Sequence, residues 1–202
     1  YYHLPLDGIT PPWVSCMAQG EGISLLVRAY QLTGENYFLE KAKEGFIPFL
    51  KEVRDGGVQS QIGPEFLFFE EFPSMKSQHV LNGFLYALIG LFDLERVWKN
   101  PLLGEVLQKA LYSLNNNLHR WDSGCWSYYC LTNEKKCRSR NFATLSYHSL
   151  HISQLKFVEK MQPSENISKI IVKWERNIGR IRSRISALIG KIRFRLQNPA
   201  ER

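Results

Sequence analysis

Glu70 and Glu71 stand side by side in the run EFLFFEEFP, among Phe66, Phe68, Phe69 and Phe72. Neighbours in an extended chain point to opposite faces, so one carboxyl can face a cleft while the other faces away. Aromatic surroundings disfavour the charged form of a carboxyl group, which is the setting of a general base near neutral pH. The bland alternative is an acid pair that caps the following helix or meets Lys76.

A second group lies in NFATLSYHSLHISQ, residues 141–154. Tyr147 and His151 are spaced i, i+4, and His148 adds a third hydrogen-bonding side chain at the start of a helical pattern. They can serve a reaction, or they can be satisfied polar groups of a core. The spacing of His148 and His151 lacks the usual i, i+4 pairing and a third ligand for zinc. A third group, SGCWSYYCL (residues 123–131), carries adjacent Tyr128 and Tyr129, one of which must face inward. MAQGEG (residues 17–22) is glycine-rich but follows no strand and has no P-loop lysine.

Helical periodicity supplies the elements that hold these groups. Six segments repeat their apolar residues with helical period: 17–32, 36–53, 80–98, 102–118, 145–161, and one that begins after Ser164 and runs on into the C-terminal tail. Thr33-Gly34 reads as a C-cap and Ser164 as an N-cap. The segments pair, and the first members of the pairs start about 65 residues apart, a loose helical-hairpin repeat. The first helix of each pair is apolar and rich in small residues, and the second is amphipathic, as concentric rings of helices require. Segments 56–72 and 121–131 read as short hairpins. The fold expected is mainly α: an incomplete α/α toroid of antiparallel helix pairs with short β-hairpins at one end.

Composition limits the partners. The chain has 202 residues and a net charge of +7. Nine Lys/Arg and two Glu fall between Lys173 and Arg202, so residues 1–172 are neutral. The basic signal therefore belongs to the tail, and no nucleic-acid partner is expected of the body. Residues 1–177 read as one domain and 178–202 as a basic amphipathic tail. In the tail, Ile178, Ile181, Ile185, Leu188, Ile189, Ile192 and Leu196 form a stripe between arginines. The stripe either packs on the body, the favoured reading, or lies with residues 178–196 on an anionic membrane surface or a polyanion. No apolar run is long enough to span a bilayer. Because the chain opens on Tyr, it is expected to be a fragment or a processed form, and three helix pairs would make about half of a six-pair barrel. Pairing among Cys16, Cys125, Cys130 and Cys137, and oligomerisation, are left open.

Three stretches taken together are more specific. PWVSCMAQGEGISLLVRAYQLTG, FEEFPSMKSQHVLNGFLYALIGLFDL and SYHSLHISQL, in this order, resemble the C-terminal catalytic domain of D-glucuronyl C5-epimerases, over roughly residues 12–178. The resemblance implies an α/α barrel and a reaction on heparosan-type chains, in which the proton at C5 of D-glucuronate is removed and one is returned from the opposite face to give L-iduronate. It implies acid/base roles for Glu71 and Tyr147 and an active-site role for Tyr129. Glu70, Asn82, Gln19, Arg138, Arg140, His148 and His151 are expected to bind the anionic polysaccharide, with Arg138, Arg140 and His148 as cation candidates beside Tyr147. No metal or cofactor is implied. Phe72 stands where the family usually has Tyr, and Thr132 where it usually has Arg, so a uronate polymer other than heparosan is plausible. A polysaccharide lyase and a non-catalytic glycan-binding domain are the alternatives. Localisation leans to the cytoplasm or its membrane face in a microbe, or to the Golgi lumen in an animal.

Overall fold

The computed structural model of the chain describes residues 2–3, 9–132 and 140–198. They form two compact units: Tyr1–His79 with Gly83–Leu114, and Val80–Asn82 with Asn115–Arg202. The protein is mainly helical, with seven α-helices and one two-stranded sheet among the described residues.

In the first unit, α1 (Cys16–Thr33) ends on Gly34, whose φ of 73° is left-handed and whose N–H returns to the Tyr30 carbonyl. Glycine adopts that conformation without a Cβ penalty. α2 (Asn36–Phe46) packs on α1. It is shorter than the periodicity of 36–53 predicts. Pro48 cannot donate to a preceding turn, and the chain continues as 3-10 turns at Ile47–Leu50 and Val53–Asp55. The expected hairpin then forms. β1 (Gln59–Ile62) and β2 (Phe66–Phe69) pair antiparallel, Gln59 opposite Phe69 and Ile62 opposite Phe66. The turn between them uses Gly63 at φ 65°. Phe68 stacks on Phe84 at 4.2 Å, and Phe49 meets Phe69 edge-on at 5.0 Å.

α3 (Leu81–Val97) is apolar nearly all round, and α4 (Pro101–Asn117) follows after a short link. The Asn100 side chain accepts from the N–H groups of Leu102 and Leu103, and Pro101 at the first helical position has no N–H to satisfy. The small residues of α1 and α3 have a plain packing role. A Cβ at Gly20 of α1 would overlap the Tyr86 carbonyl of α3, and one at Gly90 would overlap Gly20. The two backbones touch because neither position carries a side chain. Beside this contact, Ser24 and Arg28 both donate to Asp93, at 2.7 and 2.9 Å.

The second unit carries α5 (Leu145–Met161), α6 (Glu165–Ile178) and α7 (Ile181–Gln197). Thr144 caps α5 through the Tyr147 N–H, and Ser164 caps α6 through the Ile167 N–H. α6 buries Ile167, Ile170, Ile171 and Trp174. It does not run on into the tail as the pattern suggests. Gly179 ends it and Arg180 is extended (φ −86°, ψ 121°), so α7 starts afresh. The second expected hairpin is also different. Residues 121–128 close a tight turn with one bridge, Asp122 to Ser127, while Ser127–Tyr129 pair with residues 141–143. The Tyr129 N–H donates to the Asn141 carbonyl, and the Ala143 N–H to the Ser127 carbonyl.

Candidate active site

Glu70 and Glu71 follow directly on the end of β2, and the chain bends at Glu71. The Glu70 N–H adds one rung to the β-ladder by donating to Val58. Its carboxylate is fully buried. One oxygen accepts from Ser60 Oγ at 2.7 Å and lies 2.8 Å from His79 Nδ1. The other accepts from the N–H of Gln78 and of His79, at 3.3 and 3.0 Å. His79 is held at φ 51°, a left-handed conformation that costs a non-glycine residue energy. Glu70 thus clasps the turn that leads into α3. Every oxygen is occupied by protein, and none is left for a substrate.

Glu71 is buried as well. Its carboxylate rests where α3 has Gly83: a Cβ there would come 2.6 Å from Oε2 and 2.7 Å from the Glu71 Cβ. Behind the pair stands Cys16, the first residue of α1. Its N–H donates to the Glu70 carbonyl and its thiol to the Phe69 carbonyl. Burial pushes the Cys16 thiol well above the ordinary range, and the charges of Glu71 and Glu70 push it further. This cysteine is packing, not a nucleophile.

In the second unit the phenols come together. The rings of Tyr129 and Tyr147 meet edge to face, 5.0 Å between centroids, and Tyr147 keeps a partly exposed side chain. The cation beside them is Lys191 of α7, with Nζ 5.7 Å from the centre of the Tyr129 ring and 2.6 Å from Asn141 Oδ1. Burial pulls the Lys191 pKa below the ordinary lysine value. The charge of Arg195 adds to that, and Cys130 works against it. The sequence showed Lys191 only as one member of a basic face. The signal that could have found it was absent, because nothing in the tail says which side of the helix packs.

Lys191 was not among the expected cations. Arg140 lies over the Tyr128 ring at 3.9 Å and donates to the Arg120 carbonyl. Arg138 lies outside the described residues, as does Cys137. Cys16, Cys125 and Cys130 are unpaired thiols. His148 and His151 are fully buried and both place Nδ1 2.8 Å from Ser127 Oγ. The Ser127 N–H also donates to His148 Nδ1. One hydroxyl carries one proton, so His148 accepts it while His151 donates its own Nδ1–H to Oγ. Burial lowers the His148 pKa to about 4. Burial, then the neighbouring His148, lowers that of His151 to about 3. Both imidazoles are neutral at pH 7 and tie α5 to Ser127, two residues before Tyr129. His148 also stacks on Trp126 at 3.9 Å. The same turn is fastened from α6, where Lys173 and Trp174 donate to Asp122.

Asn82 is buried and its carbonyl accepts from Gln154 Nε2, while Leu81 N–H donates to the Tyr129 carbonyl. Gln19 lines a groove of about 620 Å³ between α1 and α2, with Lys41, Glu44 and Lys51, and Glu71 takes no part in that groove's wall. Thr132 accepts from the Cys130 thiol. Among the described residues no cluster of three or more His, Cys, Asp or Glu is placed to hold a metal ion.

Comparison with known proteins bears on this arrangement directly. Residues 1–176 match the D-glucuronyl C5-epimerase C-terminus family. The chain belongs to that family. It is 32% identical over 178 residues to a D-glucuronyl C5-epimerase of Caenorhabditis elegans, covering 82% of this chain and 29% of the nematode protein. It is 25% identical over 176 residues to an uncharacterized protein of Methanocaldococcus jannaschii, covering 86% of this chain and 55% of the archaeal one. The chain thus spans under a third of the nematode relative and about half of the archaeal one. α7 lies beyond the family match.

Proposed function

We propose that this chain is the catalytic C-terminal part of a uronyl C5-epimerase that converts D-glucuronate to L-iduronate within a uronate-containing polysaccharide. The observation that carries the reading is the meeting of Tyr129 and Tyr147 at 5.0 Å, two residues that the family's motifs single out separately. Glu71, with the space that Gly83 leaves for its carboxylate, is the acidic counterpart. The ring of helix pairs belongs to the same reading.

The chemistry follows from the substrate. The C5 hydrogen is alpha to a carboxylate. When a base removes it, the electron pair passes into that carboxylate as an enediolate, which a nearby cation stabilises. A proton delivered to the other face of C5 restores the carboxylate with inverted configuration. One proton leaves and one returns, and nothing is oxidised. Glu71 and Tyr147 take these two steps, Tyr129 orients the sugar beside Tyr147, and Lys191 faces the substrate carboxylate. Phe72 lacks the phenol hydroxyl and Thr132 the guanidinium of the usual pattern, which favours a polymer other than unmodified heparosan.

The test is deuterium incorporation at C5 in heavy water, with the longest natural form of the protein and a series of desulfated uronate polymers. Glu71→Gln and Tyr147→Phe are each expected to lower incorporation about a hundredfold or more, within the usual range for a general acid or base. Exchange at the parent rate in either variant removes that residue from its role. Ultraviolet absorbance from an unsaturated uronate would make the protein a lyase, and saccharide binding without any exchange would make it a non-catalytic domain.

A further inference from the structure

α7 is attached to its unit by the wrong side for a core helix. At about 100° per residue, Ser183, Ala187 and Gly190 share one face, and this is the face that packs. Ser183 and Ala187 are buried, and a Cβ at Gly190 would overlap the Phe142 ring. Ile181, Ile185, Leu188, Ile189, Ile192 and Leu196 occupy the opposite face and are exposed, from 44% at Ile189 to 78% at Leu196. The favoured expectation, that the stripe packs on the body, is therefore corrected. Small residues allow the close approach, and the large aliphatic ones are displayed.

The rims of the displayed face are basic on both sides. Arg182 and Arg193 border it on one flank, and Arg184 and Arg195 on the other. No acid occurs between Glu175 and Glu201. An aliphatic face bounded by long cationic side chains is the pattern of a helix lying in a lipid interface. There the aliphatics enter the acyl boundary and the arginines extend to headgroup phosphates. A second copy of the same face would bring four arginines against four, and a neutral protein groove would leave them without counter-charge. No helix among the described residues is long and apolar enough to cross a membrane, so the contact is a surface one.

We infer that α7 docks the protein on an anionic lipid surface, with the stripe from Ile181 to Leu196 at the acyl boundary and the flanking arginines on lipid phosphates. This does not depend on the reaction proposed above. It also has a structural consequence: the flank of α7 that reaches Tyr129 through Lys191 differs from the face that meets lipid, so docking leaves the phenol pair uncovered by α7's apolar side.

Flotation of the whole chain with vesicles tests it. Phosphatidylcholine vesicles containing phosphatidylglycerol should carry the protein up the gradient, pure phosphatidylcholine vesicles should carry at least about tenfold less, and added salt should weaken the first. The double variant Leu188→Gln/Ile192→Gln should lose about tenfold or more in partitioning, and so should Arg182→Gln/Arg193→Gln. Both pairs are surface substitutions, so the circular dichroism spectrum and melting temperature should stay at the parent values. The inference is overturned if anionic vesicles leave the protein in the soluble fraction. It is also overturned if the aliphatic variant floats as well as the parent. That outcome, with binding of a soluble uronate polymer lost in the arginine variant, would reassign the groove of about 610 Å³ lined by Arg140, Arg182 and Arg193 to the polysaccharide. Concentration-dependent dimers abolished by the aliphatic variant, without flotation, would assign the face to a second copy.

Discussion

Two corners of the molecule each hold a pair of adjacent polar residues, and in both corners the pair is split. At the end of β2, Glu70 turns inward to clasp Ser60 and the 78–79 turn, while Glu71 faces Gly83. At the start of α5, His148 turns inward onto Ser127, while Tyr147 stays partly exposed against Tyr129. One pair follows the end of β2, where the chain bends, and the other opens a helix, where neighbours step by about 100°. The inward member builds the geometry, and in the reaction proposed above its neighbour, Glu71 or Tyr147, handles the proton. On that proposal, a pair of reactive-looking neighbours supplies one support and one working group rather than two catalysts.

The sharpest way to break the comparison is to remove an inward member. Glu70→Ala strands the N–H groups of Gln78 and His79 and removes the partner of the His79 ring, all against a fully buried site. The expected loss is about 3–5 kcal/mol of unfolding free energy, the usual cost of leaving one side of a buried polar pair alone. Urea denaturation measures it. Glu71→Gln should leave the midpoint within about 1 kcal/mol of the parent, because an amide fills the space beside Gly83 nearly as the acid does. Equal destabilisation by the two substitutions would erase the distinction between the glutamates.

The second corner predicts a pH effect. The unfolded chain protonates its histidines near pH 6.5, whereas the folded chain holds His148 to about 4 and His151 to about 3. As pH falls below 6.5 the unfolded state binds protons first. Stability is therefore fully present above 6.5 and is lost progressively down to about 4, and further toward 3. The smaller of the two shifts alone corresponds to about 3 kcal/mol. Urea midpoints across that interval should fall steeply in the parent and far less in His148→Gln/His151→Gln. The variant should start lower at neutral pH, having lost the fit around Ser127. A flat parent profile between pH 6.5 and 4 would mean that the imidazoles are not held neutral by burial.

Much of this was legible from spacing. The limits of α3, α4 and α5 follow the apolar period to within a residue, and Gly34 and Ser164 cap where residue type says they should. The expectation that one of Glu70 and Glu71 faces away from the interior is corrected, because β2 ends at Phe69 and both carboxylates are buried. What escaped is of one physical kind. Periodicity reports that a helix has a stripe, not which side of it meets the body. α6 buries its isoleucines and α7 displays them, although the two read as one continuous pattern. Gly179, weak as a helix former, was the only mark of the break. The second hairpin failed because Ser127–Tyr129 found a partner at residues 141–143, a long-range pairing that local pattern cannot encode. The polar residues of the Tyr-His motif gave no sign of which would be buried, and that depended on Ser127, more than twenty residues upstream.

The smallest expected effect concerns Lys191, which joins the second corner from a helix outside the family match. If its ammonium faces the substrate carboxylate, Lys191→Met should reduce C5 exchange by about tenfold, near 1.4 kcal/mol, with the fold intact. Burial lowers the Lys191 pKa, so in the parent this ammonium loses its proton below the ordinary lysine range and activity should decline there on the alkaline side. Lys191→Arg, which stays charged far above that range, should keep most of the exchange and move the decline upward. Lys191→Met should show no alkaline decline of this origin at all. A purely structural lysine, holding Asn141 and nothing more, would alter stability in both variants and leave the shape of the pH profile unchanged. The profile therefore separates a residue that meets the substrate from one that only braces Tyr129, a distinction that the loss of rate alone would not make.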